Sequence, residues 1–84
     1  MTRHCKVYFD YFGYGEQDFV PCEVCGGRSQ DIHHINGRGN GKDVIENLMG
    51  LCRKCHRAAH GLEKTYLHKD VLFAIHAKKL QKAD

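Results

Sequence analysis

The sequence predicts a small α+β domain stapled by a structural metal, and three observations carry that expectation. The chain has 84 residues, and a domain of that size buries only about two-thirds of its unfolded surface, so its apolar core alone leaves a thin stability margin. Four of the five cysteines fall in two C-x2-C pairs, Cys22/Cys25 and Cys52/Cys55. Two short apolar runs flank a glycine-rich stretch and lead into two helical patterns.

The cysteine pairs are separated by 26 residues. Each can present two thiolates from a tight knuckle, and two knuckles complete the closed tetrahedral shell of a structural zinc site. Gly26 and Gly27 follow the first pair and ease the turn that aims backbone amides at the sulfurs. A redox reading needs one C-x2-C in a βαβ context, which is absent. No stretch approaches the roughly 18 consecutive apolar residues of a membrane span, and the N-terminus lacks a basic, apolar, small-residue signal pattern. The expected location is therefore intracellular and cytoplasmic, where thiols stay reduced and serve as metal ligands rather than disulfides. Cys5 is left over as a free thiol. Zinc ties the chain before the first strand to the start of a short helix, and its binding should supply much of the folding free energy.

With no repeat, low-complexity tract or linker, residues 1–84 are read as one domain. Residues 1–20 hold six of the eight aromatics, Tyr8, Phe9, Tyr11, Phe12, Tyr14 and Phe19. They are expected to cover a core too small to close otherwise, in preference to stacking on nucleobases. Gln30 to Ile35 reads as a strand, and Asn36 to Gly41 as a loop whose glycines permit close approach to a ligand. Leu48 to Leu51 reads as a second extended stretch, and Arg53 to His60 as a short helix stopped by Gly61. Residues 69–82 form an amphipathic helix with Leu72, Phe73, Ile75 and Leu80 on its apolar face. Lys78, Lys79 and Lys82 complement its dipole at the C-terminal end or reach phosphates.

The formal charge is +3; four zinc-bound thiolates and the ion would bring it to +1, and a second divalent ion would restore it. Its distribution says more than its total. Residues 28–57 carry Arg28, Arg38, Lys42, Arg53, Lys54 and Arg57 against Asp31, Asp43 and Glu46. A local basic face suits a polyanion, although an ordinary solvated surface gives the same composition.

Between the knuckles lie Ile32-His33-His34-Ile35 and Asn47-Leu48, and the second knuckle runs into His56, with His60 four residues on. An i, i+4 pair projects from one helical face, so His56 and His60 can share an ion. Single histidines are commonly satisfied surface or core groups, and His4, His68 and His76 are read so. The combined pattern of cysteines, His33, His34, Asn47 and His56 resembles the HNH, or ββα-metal, endonuclease family, over residues 22–61. The resemblance implies a treble-clef-like ββα-metal fold stapled by zinc.

It also implies roles. His34 would be the general base that takes a proton from the attacking water, a task suited to imidazole near neutral pH. Asn47 would hold the loop that carries it or contribute near the metal. His33, His56 and His60 would hold one catalytic divalent ion, Mg2+, Mn2+, Ni2+, Co2+ or Zn2+, as in the three-histidine set of the colicin nucleases. That ion would act as a Lewis acid on a scissile phosphate, leaving 5′-phosphate and 3′-hydroxyl ends. An all-imidazole set is softer than the aspartate-containing sets of other members, which favour magnesium. Adjacent strand residues point to opposite faces, so either the strand ends at His33-His34 or the two groups reach the phosphate from different sides.

Arg38, Lys42, Arg53, Lys54 and Arg57 are candidates for DNA phosphate contacts, which position a duplex without reading it. No appended recognition element is evident, so the chain alone is expected to cut with low sequence specificity, or to act as a dimer or with a protein partner that supplies it. Small chains of this type resemble phage and mobile-element nucleases and restriction components. Two other readings stay open: a zinc-stabilised nucleic-acid-binding module without catalysis, and a zinc knuckle that docks another protein. The first has no need of the four site residues together, and the second leaves the histidines unexplained.

Overall fold

The computed structural model describes residues 2–82. In chain order it has α1 (Arg3–Phe12), β1 (Asp31–His34), a 3-10 turn (Ile45–Asn47), β2 (Leu48–Leu51), α2 (Arg53–Ala59) and α3 (Lys69–Lys82). β1 and β2 pair antiparallel, with Asp31 opposite Leu51, Ile32 opposite Gly50, His33 opposite Met49 and His34 opposite Leu48. The expected strand, loop, strand, helix order is present, and the fold is a small α+β arrangement consistent with a zinc-stapled ββα motif.

The period of two along a strand splits the core. Ile32 and Leu48 pack with Tyr8 and Val20 under α1, while Ile35, Met49 and Leu51 pack with Cys22 and Leu72 on the side of α2 and α3. Both faces of this two-stranded sheet are covered. A lone hairpin is marginal in water, so the helices are what make it stable.

Residues 3–12 of the aromatic segment form a helix, an element that the sequence did not predict. Cys5, Tyr8, Phe9 and Phe12 recur at helical spacing and turn toward the sheet, and Gly13, at φ 75°, ends α1. The expected apolar cover holds for Tyr8, Phe9, Phe12 and Tyr14, whereas Tyr11 and Phe19 are exposed. Tyr8 lies directly on β2. A Cβ at Gly50 would come 3.0 Å from the Tyr8 hydroxyl and from Ser29 Oγ, so glycine here is what allows α1 to approach.

α2 begins and ends as its sequence dictates. Cys52 is its N-cap, accepting from Cys55 N–H at 3.4 Å. At the other end Gly61 takes φ 75°, and Gly61 N–H and Leu62 N–H reach Ala58 O and Arg57 O, the double bond pattern that closes a helix over a left-handed residue. α3 is anchored by Leu72 and by His76, both 1% exposed. His76 Nδ1–H donates to Glu23 at 2.8 Å and Nε2–H donates to Ile45 O at 2.6 Å. The other oxygen of Glu23 accepts from Tyr8 O–H and Gly50 N–H. One buried carboxylate thus joins α1, the first knuckle, β2 and α3. Lys79 binds the Tyr14 hydroxyl at 3.0 Å and lies over the Phe12 ring at 4.8 Å, so it serves packing. Among the described residues no helix is long and apolar enough to cross a membrane.

Candidate active site and zinc centre

The four sulfurs of Cys22, Cys25, Cys52 and Cys55 lie within 4.8 Å of one another, with Cys25 and Cys52 at 3.6 Å. Zinc–sulfur bonds of about 2.3 Å in a tetrahedron place sulfurs roughly 3.8 Å apart, so four sulfurs gathered this closely could hold a zinc ion. The first knuckle is closed by Cys22 N–H to Gly27 O and Gly26 N–H to Cys22 O. Burial disfavours the Cys22 thiolate, but the amides of Cys25, Cys52 and Val24 outweigh it and bring the thiol to about 7. Cys5 is half-buried and free.

On the α2 side of β1, His33 meets His56 and His60. Ring centroids are 4.9 Å (His33–His56), 5.2 Å (His33–His60) and 4.8 Å (His56–His60), and one ring nitrogen from each lies within 4.8 Å of the others. Asp31 Oδ2 accepts from His56 Nδ1–H at 3.0 Å and from Arg53 Nε–H at 3.1 Å. With its proton held at Nδ1, His56 turns a lone pair at Nε2 into the cluster. There it lies 3.2 Å from His60 Nε2, a separation that two imidazoles sharing one ion adopt at bond lengths of about 2.0–2.1 Å. Burial, then the neighbouring His56 and His60, lowers His33 to about 4, so its ring is neutral at neutral pH and keeps a lone pair free. Asp31 was not singled out from the sequence, though its signal is there: it stands two residues before His33 and so shares its strand face.

His34 ends the strand and faces the other way. Its Nε2–H donates to Asp43 Oδ1 at 2.7 Å, while its Nδ1 is buried and has no hydrogen-bond partner among the described residues. The bond to His34 holds the Asp43 carboxyl below its ordinary value. His4, from α1, lies against His34 with centroids 4.6 Å apart. Burial, then the nearby His34 and Arg38, lowers its pKa. Of the three histidines read as single groups, His76 is satisfied in the core and His68 lies tilted against Tyr66 at the surface. His4 departs from that expectation, because it forms a cluster with His34 and Asp43.

Asn47 is buried at the foot of the loop over residues 36–42. Its Oδ1 accepts from Asn36 N–H at 2.7 Å, and its Nδ2 donates to Gly37 O at 3.1 Å and Lys42 O at 3.0 Å. Three bonds tie both ends of the loop, and with them the strand end that carries His34.

The five basic residues divide. Arg38 opens on a cleft of about 390 Å³ that Asp31 and His56 also line. Arg53 pairs with Asp31, and Arg57 with Glu63 at 2.9 Å. Lys54 borders a separate depression beside Cys25, Cys52 and Cys55, and Lys42 is half-buried in the loop. Residues 22–61 match the family model described as HNH endonuclease. This segment is similar to the HNH endonucleases. No curated protein and no solved structure matches the chain significantly. Both knuckles, both strands and α2 lie inside the HNH segment, whereas α1, α3 and His4 lie outside it.

Proposed function

We propose that the chain is a metal-dependent HNH endonuclease that hydrolyses DNA phosphodiester bonds, with His34 as general base and one divalent ion held by His33, His56 and His60. The observation that carries this reading is the pairing of a preformed three-imidazole pocket on one face of β1 with an oriented, half-satisfied imidazole at the adjacent position. Bound there, the ion supplies Lewis-acid stabilisation of charge on the scissile phosphate.

The protein groups do the rest. Asp43 takes the Nε2 proton of His34 in a hydrogen bond, which leaves Nδ1 as the acceptor for a proton from water and stabilises the imidazolium that results. Asn47 fixes the backbone around that base. Asp31 keeps His56 in the ligating tautomer. Arg38 holds a DNA phosphate at the mouth of the cleft, while Arg53 and Arg57, paired with carboxylates, contribute less than their charge suggests. The all-imidazole set suits Zn2+, Ni2+, Co2+ or Mn2+ more than Mg2+. A dimer or a partner protein would supply sequence preference, and an intracellular, reducing setting suits the four thiols.

Plasmid nicking by protein stripped with EDTA and reloaded with single metals tests this reading. We expect cutting that depends on the added ion and is lost in His34→Ala, with structural zinc and circular dichroism retained. Equal cutting by the variant would remove His34 from the mechanism. Absence of cutting with every metal, together with retained DNA binding, would make the chain a binding module.

A further inference from the structure

His4, His34 and Asp43 place one nitrogen or oxygen each within 4.8 Å of the others, on the face of β1 opposite the three-histidine pocket. We propose that they form a second divalent-metal site, suited to zinc-like ions, whose occupancy disables His34 as a base. The binding claim stands on this geometry alone; the consequence for cutting rests on the role proposed for His34.

The donor chemistry favours the site. Two imidazoles and one carboxylate are a borderline set that prefers Zn2+, Co2+ or Ni2+ over Mg2+. The hydrogen bond between His34 Nε2 and Asp43 Oδ1 accounts for those two groups. It does not account for His4, whose ring makes no side-chain hydrogen bond among the described residues although it lies 4.6 Å from that of His34. Around a tetrahedral ion, bonds of about 2.0–2.2 Å set ligand atoms roughly 3.3 Å apart. The His34–Asp43 pair at 2.7 Å therefore opens slightly and His4 closes in. His34 is fixed at the end of a buried strand, but Asp43 stands on a loop and His4 in the first turn of α1, half-buried, so side-chain rotation is enough.

The effect on His34 follows from counting protons. In the metal-free arrangement the single ring proton is on Nε2, shared with Asp43, and Nδ1 offers a lone pair. An ion that takes the Nε2 lone pair leaves the ring's one proton on Nδ1, so the acceptor needed for water is gone and no proton is released. A metal that at low concentration fills the three-histidine pocket would thus at higher concentration stop the reaction from the other face. His4 makes this a property of this chain's N-terminal helix, since it lies outside the HNH segment.

Equilibrium dialysis against buffered free zinc, read by atomic absorption, tests the site without reference to cutting. Wild-type protein, His4→Ala, His4→Gln and His33→Ala are compared, with His68→Ala as a control for adventitious binding by a surface imidazole. We expect both His4 variants to lose one zinc per chain and His68→Ala to lose none; His33→Ala reports separately on the three-histidine pocket. Unchanged zinc content in both His4 variants would overturn the site. In manganese-supported nicking, added zinc should inhibit wild-type protein at a concentration lower by roughly tenfold or more than His4→Ala. Equal inhibition of the two would overturn the switching role. If no metal supports cutting, the reading of the chain as a nuclease fails and the dialysis result still decides the site.

Discussion

His33 and His34 are chain neighbours with the same side chain, yet the strand gives them opposite surroundings. His33 turns into an imidazole cluster behind α2, and His34 turns toward Asp43 and α1. The pair itself was legible, since no other part of the chain has two histidines beside a second histidine pair at helical spacing. The carboxylates that orient His56 and His34 were not. Asp31 was readable only through strand parity, and Asp43 lies nine residues from His34 across an irregular loop, where no periodicity links them. Replacing Asp43 with Ala should lower kcat by roughly 10- to 100-fold with little change in KM, because it removes the group that fixes the proton at Nε2; a comparable rise in KM would show that Asp43 acts in binding. Asn47→Ala frees three loop bonds at a cost of roughly 2–4 kcal/mol in stability, measurable by denaturant unfolding of the zinc-loaded protein.

At the scale of elements, β1, β2, α2 and α3 were readable because each has apolar periodicity, a turn or a glycine stop to mark it. α1 was hidden by its composition. Aromatic and β-branched residues are modest helix formers, and a run of six aromatics in twenty residues draws attention to bulk rather than to the 5, 8, 9, 12 spacing that defines its buried face. Its docking is tight at one point, so Gly50→Ala should destabilise the protein by roughly 1–3 kcal/mol through the Tyr8 contact. A thermal midpoint equal to wild type would mean that α1 can shift freely.

The same docking is coupled to pH through α3. Burial alone would lower the pKa of His76, but its bonds to Glu23 and Ile45 O outweigh that, against the opposing charge of Lys79, and raise it above 6.5. Tyr8 faces the same carboxylate from α1 as a neutral hydroxyl, since its own pKa is raised, by burial and then by Glu23. A raised folded value stabilises the protein fully below the unfolded pKa of about 6.5 and is lost as pH climbs through the folded pKa. Stability of the zinc-loaded chain should therefore decline from pH 6.5 upward. His76→Gln should flatten that decline, and an unchanged slope would assign the pH dependence to another group.

For the molecule as a whole, zinc is the expected determinant of folding. The two knuckles join chain segments on either side of both strands, and a structural zinc site contributes an apparent ~10–16 kcal/mol in small peptides at neutral pH, comparable to the whole stability of a typical domain. Chelation, or Cys52→Ser, should abolish cooperative unfolding and most of the helical circular dichroism. Retention of both would mean that the two apolar layers suffice alone. The fold class was readable at this scale because the cysteine spacing bounds the architecture before any packing is known. The Tyr8–Glu23–His76 link was not, because its three members stand 15 and 53 residues apart and only tertiary structure brings them together.

That link bears on how the HNH-like segment could be moved. Residues 22–61 carry the proposed chemistry, but Glu23, inside the segment, is satisfied by Tyr8 and His76 from outside it. Excised alone, the segment would expose the α1 face of its sheet, lose the Leu72 cover from the α2 face and leave a carboxylate in want of partners. The portable module for a fusion protein is therefore the chain with both flanking helices, and new recognition domains are better attached beyond them than in their place.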